Sequence, residues 1–151
     1  MQIDQPLPLF AYGSLMNNLF NYNIYLKNRT IGVPVKARVH GSLFHLSKKG
    51  YPALLPGEGW VYGEVFILND FDTTLPSLDG LEGYNQGAEP NEYNREILTV
   101  ELWSEENQAY DREIQAYVYR YAVENDPNFL EESFPLPTGD WRAFHENGVK
   151  E

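Results

Sequence analysis

Leu9-Phe10-Ala11-Tyr12-Gly13-Ser14-Leu15 is the stretch on which the fold turns. Its first half is a continuous apolar run, which suits a short strand buried on both faces. Its second half breaks at Gly13, the residue type that most easily takes backbone angles forbidden to others. A strand ending in Tyr-Gly-Ser-Leu points a turn with backbone N–H groups out of a rigid sheet. Such a turn can hold a carboxylate or carbonyl oxygen without any charged side chain. The same residues also suit a strand followed by an ordinary turn, so the surrounding chain has to decide.

Outward from that strand, β patterns dominate. Val35-Lys36-Ala37-Arg38-Val39-His40 alternates apolar and polar as a half-exposed strand does. Gly41 allows a bend into Leu43-Phe44-His45-Leu46, and Lys48-Lys49-Gly50 reads as a turn. Tyr51 to Gly57 is apolar but holds Pro52 and Pro56, which predicts an edge piece or a packed loop. Trp60 to Leu68 is rich in β-branched and aromatic residues and predicts a strand. Tyr93 to Trp103 and Ile114 to Tyr121 predict two strands of an antiparallel hairpin across a charged turn.

Helices are few and short. Asn17 and Asn18 can cap one that carries Leu19, Phe20, Ile24 and Leu26. A second starts at Asn69 to Asp72 with Phe71, Leu75 and Leu78 on one stripe, and places Pro76 in about its first turn. Residues 1–8 read as a lead-in and Asn85 to Asn91 as a polar loop, while the tail from Glu124 has three prolines before Asp140-Trp141-Arg142-Ala143-Phe144. With no repeat and no linker, residues 1–151 read as a single domain. The expected fold class is α+β, a small curved mixed sheet or partly closed β-barrel flanked by short helices.

Composition narrows the function. A formal net charge of -11 argues against nucleic acid and anionic membranes, both of which need clustered Lys and Arg. The absence of cysteine removes disulfides, thiolate chemistry and Cys-ligated metal. A polar start and no apolar run near 18 residues predict neither a signal peptide nor a membrane span, so a cytoplasmic protein is expected. No metal site is expected either: His40 and His45 stand five apart across a strand bend, and His145 lies in the tail. Ser14 lacks the Gly-x-Ser-x-Gly elbow of an activated nucleophile. Pro56-Gly57-Glu58-Gly59 lacks the lysine and helix of a phosphate loop.

Glu82 is the one acid whose position points to chemistry. It follows Leu78 by four residues and so falls on the inward face of the second helix, between Gly80 and Gly83 at the helix end. Burial and the negative end of the helix dipole both disfavour its charged form, raising its pKa toward that of a proton shuttle. The alternative on the residues alone is a glutamate that turns outward or pairs with Arg95. Tyr117, Tyr119 and Tyr121 share one strand face, as barrel lining does, and Trp141 reads as packing or a cavity wall.

Leu78-Asp79-Gly80-Leu81-Glu82-Gly83-Tyr84, set beside Tyr12-Gly13-Ser14-Leu15, Tyr93-Asn94-Arg95 and Gly139-Asp140-Trp141-Arg142, resembles the γ-glutamylcyclotransferase-like family, including its γ-glutamylamine cyclotransferase branch. The resemblance spans roughly residues 9 to 144. It implies a small barrel with one cavity, in which the Tyr12–Leu15 turn binds the glutamyl end of a small-molecule substrate. It makes Glu82 the general acid/base and Tyr93, Tyr119 and Trp141 candidate substrate-binding residues. The implied reaction needs no cofactor: the substrate's α-amine attacks its own γ-carbonyl and releases 5-oxoproline with an amine or amino acid. The leaving group stays open among glutathione-like peptides, γ-glutamyl-lysine-type amides and antibiotic precursors. Two other readings stand beside it, a non-catalytic ligand-binding module of the same fold and an amide hydrolase using the same cavity. Oligomeric state has no signal in the sequence.

Overall fold

The computed structural model describes residues 6–84 and 90–146. Its frame is a long antiparallel ribbon of β2 (Thr30–Leu46) and β3 (Tyr51–Leu68), in register from Thr30↔Leu68 to Leu46↔Tyr51 with two bulges. β1 (Leu9–Ala11) lies antiparallel to β3, with Leu9 opposite Phe66, and parallel to β5 (Ala109–Tyr121), with Leu9 opposite Tyr117. β4 (Tyr93–Ser104) forms the predicted hairpin with β5. Two residue pairs, Ala37↔Leu102 and Arg38↔Glu101, join β4 to β2. The strands therefore form an uneven ring of hydrogen bonds, β3-β1-β5-β4-β2 and back to β3, and β6 (Ser133–Pro135) extends it at β2. This is the expected α+β class with a curved, mixed sheet.

Burial explains the central place of β1. Leu9 and Phe10 are at most 1% exposed, as only a strand covered on both faces can be. Phe66, Leu54, Val61, Val100 and Val118 fill the ring around them. β1 approaches β3 so closely that a Cβ on Gly63 would lie 2.1 Å from the Ala11 carbonyl oxygen. Glycine is required there by space, and any side chain would push the two strands apart.

The structure decides three of these readings. Tyr51 to Gly57 is the edge piece rather than the loop: it is the first part of β3, and among the described residues Tyr51–Leu55 pairs on one side only, with Ser42–Leu46 of β2. Pro52 is tolerated because its side away from β2 lines a cavity described below, and Pro56 lies just past the Ser42↔Leu55 pair. The short helix expected after Asn17 and Asn18 is present over residues 20–26 and ends in the π-type segment Tyr22–Leu26, while Asn18, with φ +68°, stands outside it. Its stripe is only partly inward: Phe20 (73%) and Ile24 (54%) are exposed while Leu26 is buried. The second helix is α1 (Phe71–Leu81), but Pro76 is its sixth residue and sits in the second turn. Having no N–H, Pro76 leaves the Asp72 carbonyl without its helical partner. Residues 85–89 of the expected polar loop lie outside the described residues.

Candidate active site

The C-terminal end of β1 opens into a cavity of ≈ 640 Å³, counted out to its solvent mouth. Phe10 to Leu15 with Asn21 form one wall, Tyr51 and Pro52 of β3 another, and Leu81, Glu82, Glu92, Tyr93 and Tyr119 complete the lining. Residues 70 or more apart in sequence thus meet because β1 is threaded between β3 and β5.

The Tyr12–Leu15 turn follows β1 and lines the cavity, and its glycine serves space rather than φ. Gly13 does not use a positive φ. A Cβ at Gly13 would instead fall 2.8 Å from Pro52 Cγ, so glycine lets the turn pass under β3. The Gly13 carbonyl accepts from Met16 N–H, and the Ser14 carbonyl from Asn21 and Tyr22. Among the described residues the N–H groups of Gly13, Ser14 and Leu15 find no protein acceptor. Three donors therefore remain for a ligand oxygen. The turn is braced from behind: Glu64 accepts from Asn17 N–H at 2.7 Å, and Arg142 of α2 (Trp141–Glu146) donates to the Asn17 carbonyl at 2.8 Å.

Glu82 closes α1 as its C-cap, with φ -86° and ψ 0°. Its N–H bonds the Leu78 carbonyl and its own carbonyl accepts from Tyr93 N–H, so the backbone holds the side chain at the cavity. The carboxyl has no hydrogen-bond or ion-pair partner among the described residues. Burial is the main cause that pushes it up from an ordinary 4.5 to about 8, with the negative charges of Glu92 and Asp79 adding to it. The pairing with Arg95 is not made. Arg95 donates to Asp79 Oδ2 at 2.6 Å, and Tyr119 donates its hydroxyl to Asp79 Oδ1 at 2.7 Å.

The cavity tyrosines are walls whose protons are already committed. Tyr12 donates to the Tyr119 carbonyl at 2.5 Å and Tyr93 to the Pro52 carbonyl at 2.5 Å. Burial pushes Tyr12, Tyr93 and Tyr119 well above the ordinary phenol range, so they stay neutral. Trp141 does not reach the cavity. It is 2% exposed and donates its Nε1–H to His45 Nδ1 at 3.2 Å. Sequence reasoning missed Asn21, which donates to Ser14 Oγ at 2.6 Å, and Glu92, which accepts from Tyr51 and from Lys49 at 3.0 Å. Asn21 is brought in by the local turn that folds residues 14–22 back on themselves, and Glu92 by contacts with the distant Lys49 and Tyr51.

The raised Glu82 carboxyl makes stability depend on pH with a definite sign. Between about 4.5 and 8 the folded chain holds a proton on Glu82 that the unfolded chain has released. Stability from this group is then full below 4.5 and is lost as pH rises toward 8. Glu82→Gln carries no charge to desolvate. Its Tm should match wild type near pH 4 and exceed it above pH 8. Water entering the mouth limits the gain to about 1–2 kcal/mol, or about 2–8 °C for a chain of this length. Calorimetry of both proteins from pH 4 to 9 checks this, and a gap that does not change with pH would refute the burial of the charge.

Comparison with known proteins shows the family and the fold. The family described as "Gamma-glutamyl cyclotransferase, AIG2-like" matches residues 9–143. A protein of Halalkalibacterium halodurans, provisionally named gamma-glutamylcyclotransferase, is 34% identical over 111 residues, covering 72% of this chain and 85% of that one. An AIG2-like protein of Mus musculus shares the fold with a TM-score of 0.68 at 22% identity, covering 95% of this chain and 93% of that one. A protein of Arabidopsis thaliana superposes with a TM-score of 0.60 at 27% identity, covering 96% and 87%. The chain belongs to the γ-glutamyl cyclotransferase, AIG2-like family.

Proposed function

We infer, from membership of that family and from the geometry of its cavity, that the chain closes a γ-glutamyl amine or peptide into 5-oxoproline and a free amine, with Glu82 as general acid/base. One observation carries this reading: the unpartnered Glu82 carboxyl lines the same cavity as the three free N–H groups of Gly13, Ser14 and Leu15. The substrate brings its own nucleophile, so the protein has only to fold it, steady a developing oxyanion and move protons. The α-nitrogen bonds to the γ-carbon, and the bond from that carbon to the leaving nitrogen breaks. Two protons leave the α-ammonium and two arrive on the leaving nitrogen, so no water is consumed and nothing is oxidised. Glu82 relays them one at a time. A carboxyl near 8 is close both to the amine and to neutral pH, where transfer in either direction is least uphill.

The Tyr12–Leu15 turn binds a substrate oxygen through its backbone, and this separates two substitutions. In Gly13→Val the branched side chain meets Pro52, where even a bare Cβ would be 2.8 Å away, and the turn must move. Ser14→Ala keeps all three N–H groups and loses only the contact with Asn21. Calorimetric titration with 5-oxoproline should show at least about tenfold weaker binding for Gly13→Val and a few-fold change at most for Ser14→Ala. A larger loss in Ser14→Ala would move the contact to the hydroxyl.

The test of the function itself is release of 5-oxoproline across γ-glutamyl amines, γ-glutamyl dipeptides and glutathione. At least one class should turn over without added metal or cofactor. Saturable binding of 5-oxoproline with no turnover of any member would favour the ligand-binding module instead.

A further inference from the structure

Leaving the N–H groups of Gly13, Ser14 and Leu15 for a ligand removes three bonds that would otherwise fix their turn. Its carbonyls fix one part of it, with Gly13 accepting from Met16 and Ser14 from Asn21 and Tyr22. The other fixed point is Asn17, two residues past the turn. Its N–H donates to Glu64 Oε1 at 2.7 Å, and its carbonyl accepts from Arg142 Nη2 at 2.8 Å. Arg142 Nη2 also lies 3.3 Å from Glu64 Oε2, so the two side chains close a ring of hydrogen bonds about one residue.

Both side chains stand on held elements. Glu64 sits on β3 between two neighbouring strands, opposite Ala11 of β1 and Lys36 of β2. Arg142 is the second residue of α2, whose first, Trp141, is 2% exposed and bonded to His45. The helix is therefore docked by Trp141 and not by the arginine. The guanidinium plane sets its direction by offering Nη2 to Asn17 and Glu64 and Nη1 to Glu146 at 3.3 Å, a geometry that a rotating ammonium does not fix.

We propose that Arg142 and Glu64 are positioning residues that clamp Asn17 and so hold the three free N–H groups of Gly13, Ser14 and Leu15 in place at the cavity. That the turn then receives a substrate oxygen rests on the function proposed above; the clamp itself stands on the geometry. Donors fixed in advance meet an oxygen without being ordered by it, whereas a turn free to rock must be ordered by each ligand it binds. Arg142 reaches Asn17 past a second cavity, also lined by Met16, Lys36, Tyr62 and Asp140 and open to solvent. Shortening the side chain thus leaves a space that a free guanidinium can enter from solution.

Backbone ¹⁵N order parameters read the turn directly, with neither ligand nor turnover. Gly13, Ser14 and Leu15 should lie near about 0.85 in wild type and fall below about 0.6 in Arg142→Ala, while β1 and α2 keep their values. Affinity for 5-oxoproline should drop about tenfold or more in the same variant. Ethylguanidinium at millimolar concentration should restore most of that loss, and tetramethylammonium at equal ionic strength should not. Arg142→Lys should recover only part of it. Glu64→Ala, which leaves α2 untouched, serves where the arginine variant does not fold, and should loosen the same three residues. Unchanged order parameters, loosening that spreads through α2, or a loss of affinity that ethylguanidinium leaves in place would overturn the clamp. A turn that loosens in both variants, in a protein whose wild type binds no 5-oxoproline, would keep the clamp and remove the substrate reading.

Discussion

Glu82→Gln should lower the rate of 5-oxoproline release by about 10²–10⁴-fold or more, with affinity for 5-oxoproline within a few-fold of wild type. The amide has the shape of the carboxylic acid that dominates when the group titrates at about 8, so the cavity should keep its form. What it cannot do is take a proton from the α-ammonium and return it to the leaving nitrogen. The backbone anchors of Glu82, to Leu78 and from Tyr93, do not involve the side chain and survive the change. The variant should unfold no more readily than wild type at any pH, and at high pH less readily. A drop in rate with retained binding therefore reports the relay itself. Wild-type turnover in the purified variant would assign the proton transfer to another group, and Glu92 would be the first to consider because it lines the same cavity.

The features legible in the sequence were those set by short-range pattern. β1, the β4–β5 hairpin and α1 each carry their own periodicity. Glu82 could be found because its neighbours Leu75 and Leu78 fix which way the helix faces. The Tyr12–Leu15 turn was visible as a break in an apolar run. What stayed hidden depends on contacts between distant segments. Pro52 and Pro56 leave an edge piece and a packed loop both open, and the pairing of Tyr51–Leu55 with the distant Ser42–Leu46 side of β2 decides for the edge. Gly13 was singled out for its freedom in φ, whereas its value lies in the space under Pro52, which belongs to another strand. The partner of Arg95 could not be chosen either. Asp79, Glu82 and Glu92 are all close in sequence; Arg95 pairs with Asp79, which also accepts from Tyr119, forty residues further along the chain. Trp141 read as a possible cavity wall because aromatic residues line both cavities and cores. Its ring in fact packs on His45 and anchors α2, from which Arg142 braces the substrate turn.

Blocking the substrate's α-amine should abolish the reaction even where binding survives, and this prediction separates ring closure from hydrolysis in the same cavity. An N-acetyl-γ-glutamyl amide has lost its nucleophile, while its γ-carbonyl is as open to water as before. A tethered and aligned amine can outdo a free reactant by about 10⁵-fold or more, so the blocked compound should show no turnover above background and act at most as a weak competitive inhibitor. Nothing in the cavity compensates for the loss. Ser14 Oγ is engaged by Asn21, and the hydroxyl protons of Tyr12, Tyr93 and Tyr119 are each donated to a protein oxygen, so neither a nucleophilic serine nor a tyrosinate is prepared to take over. Run in ¹⁸O-water and read by mass spectrometry, ring closure leaves the label out of 5-oxoproline, whereas hydrolysis puts one labelled atom into glutamate. Free-amine substrate should give unlabelled 5-oxoproline as the first product, with no glutamate appearing. Labelled glutamate from that substrate, or turnover of the N-acetyl compound, would make water the nucleophile, with Glu82 as the base that activates it.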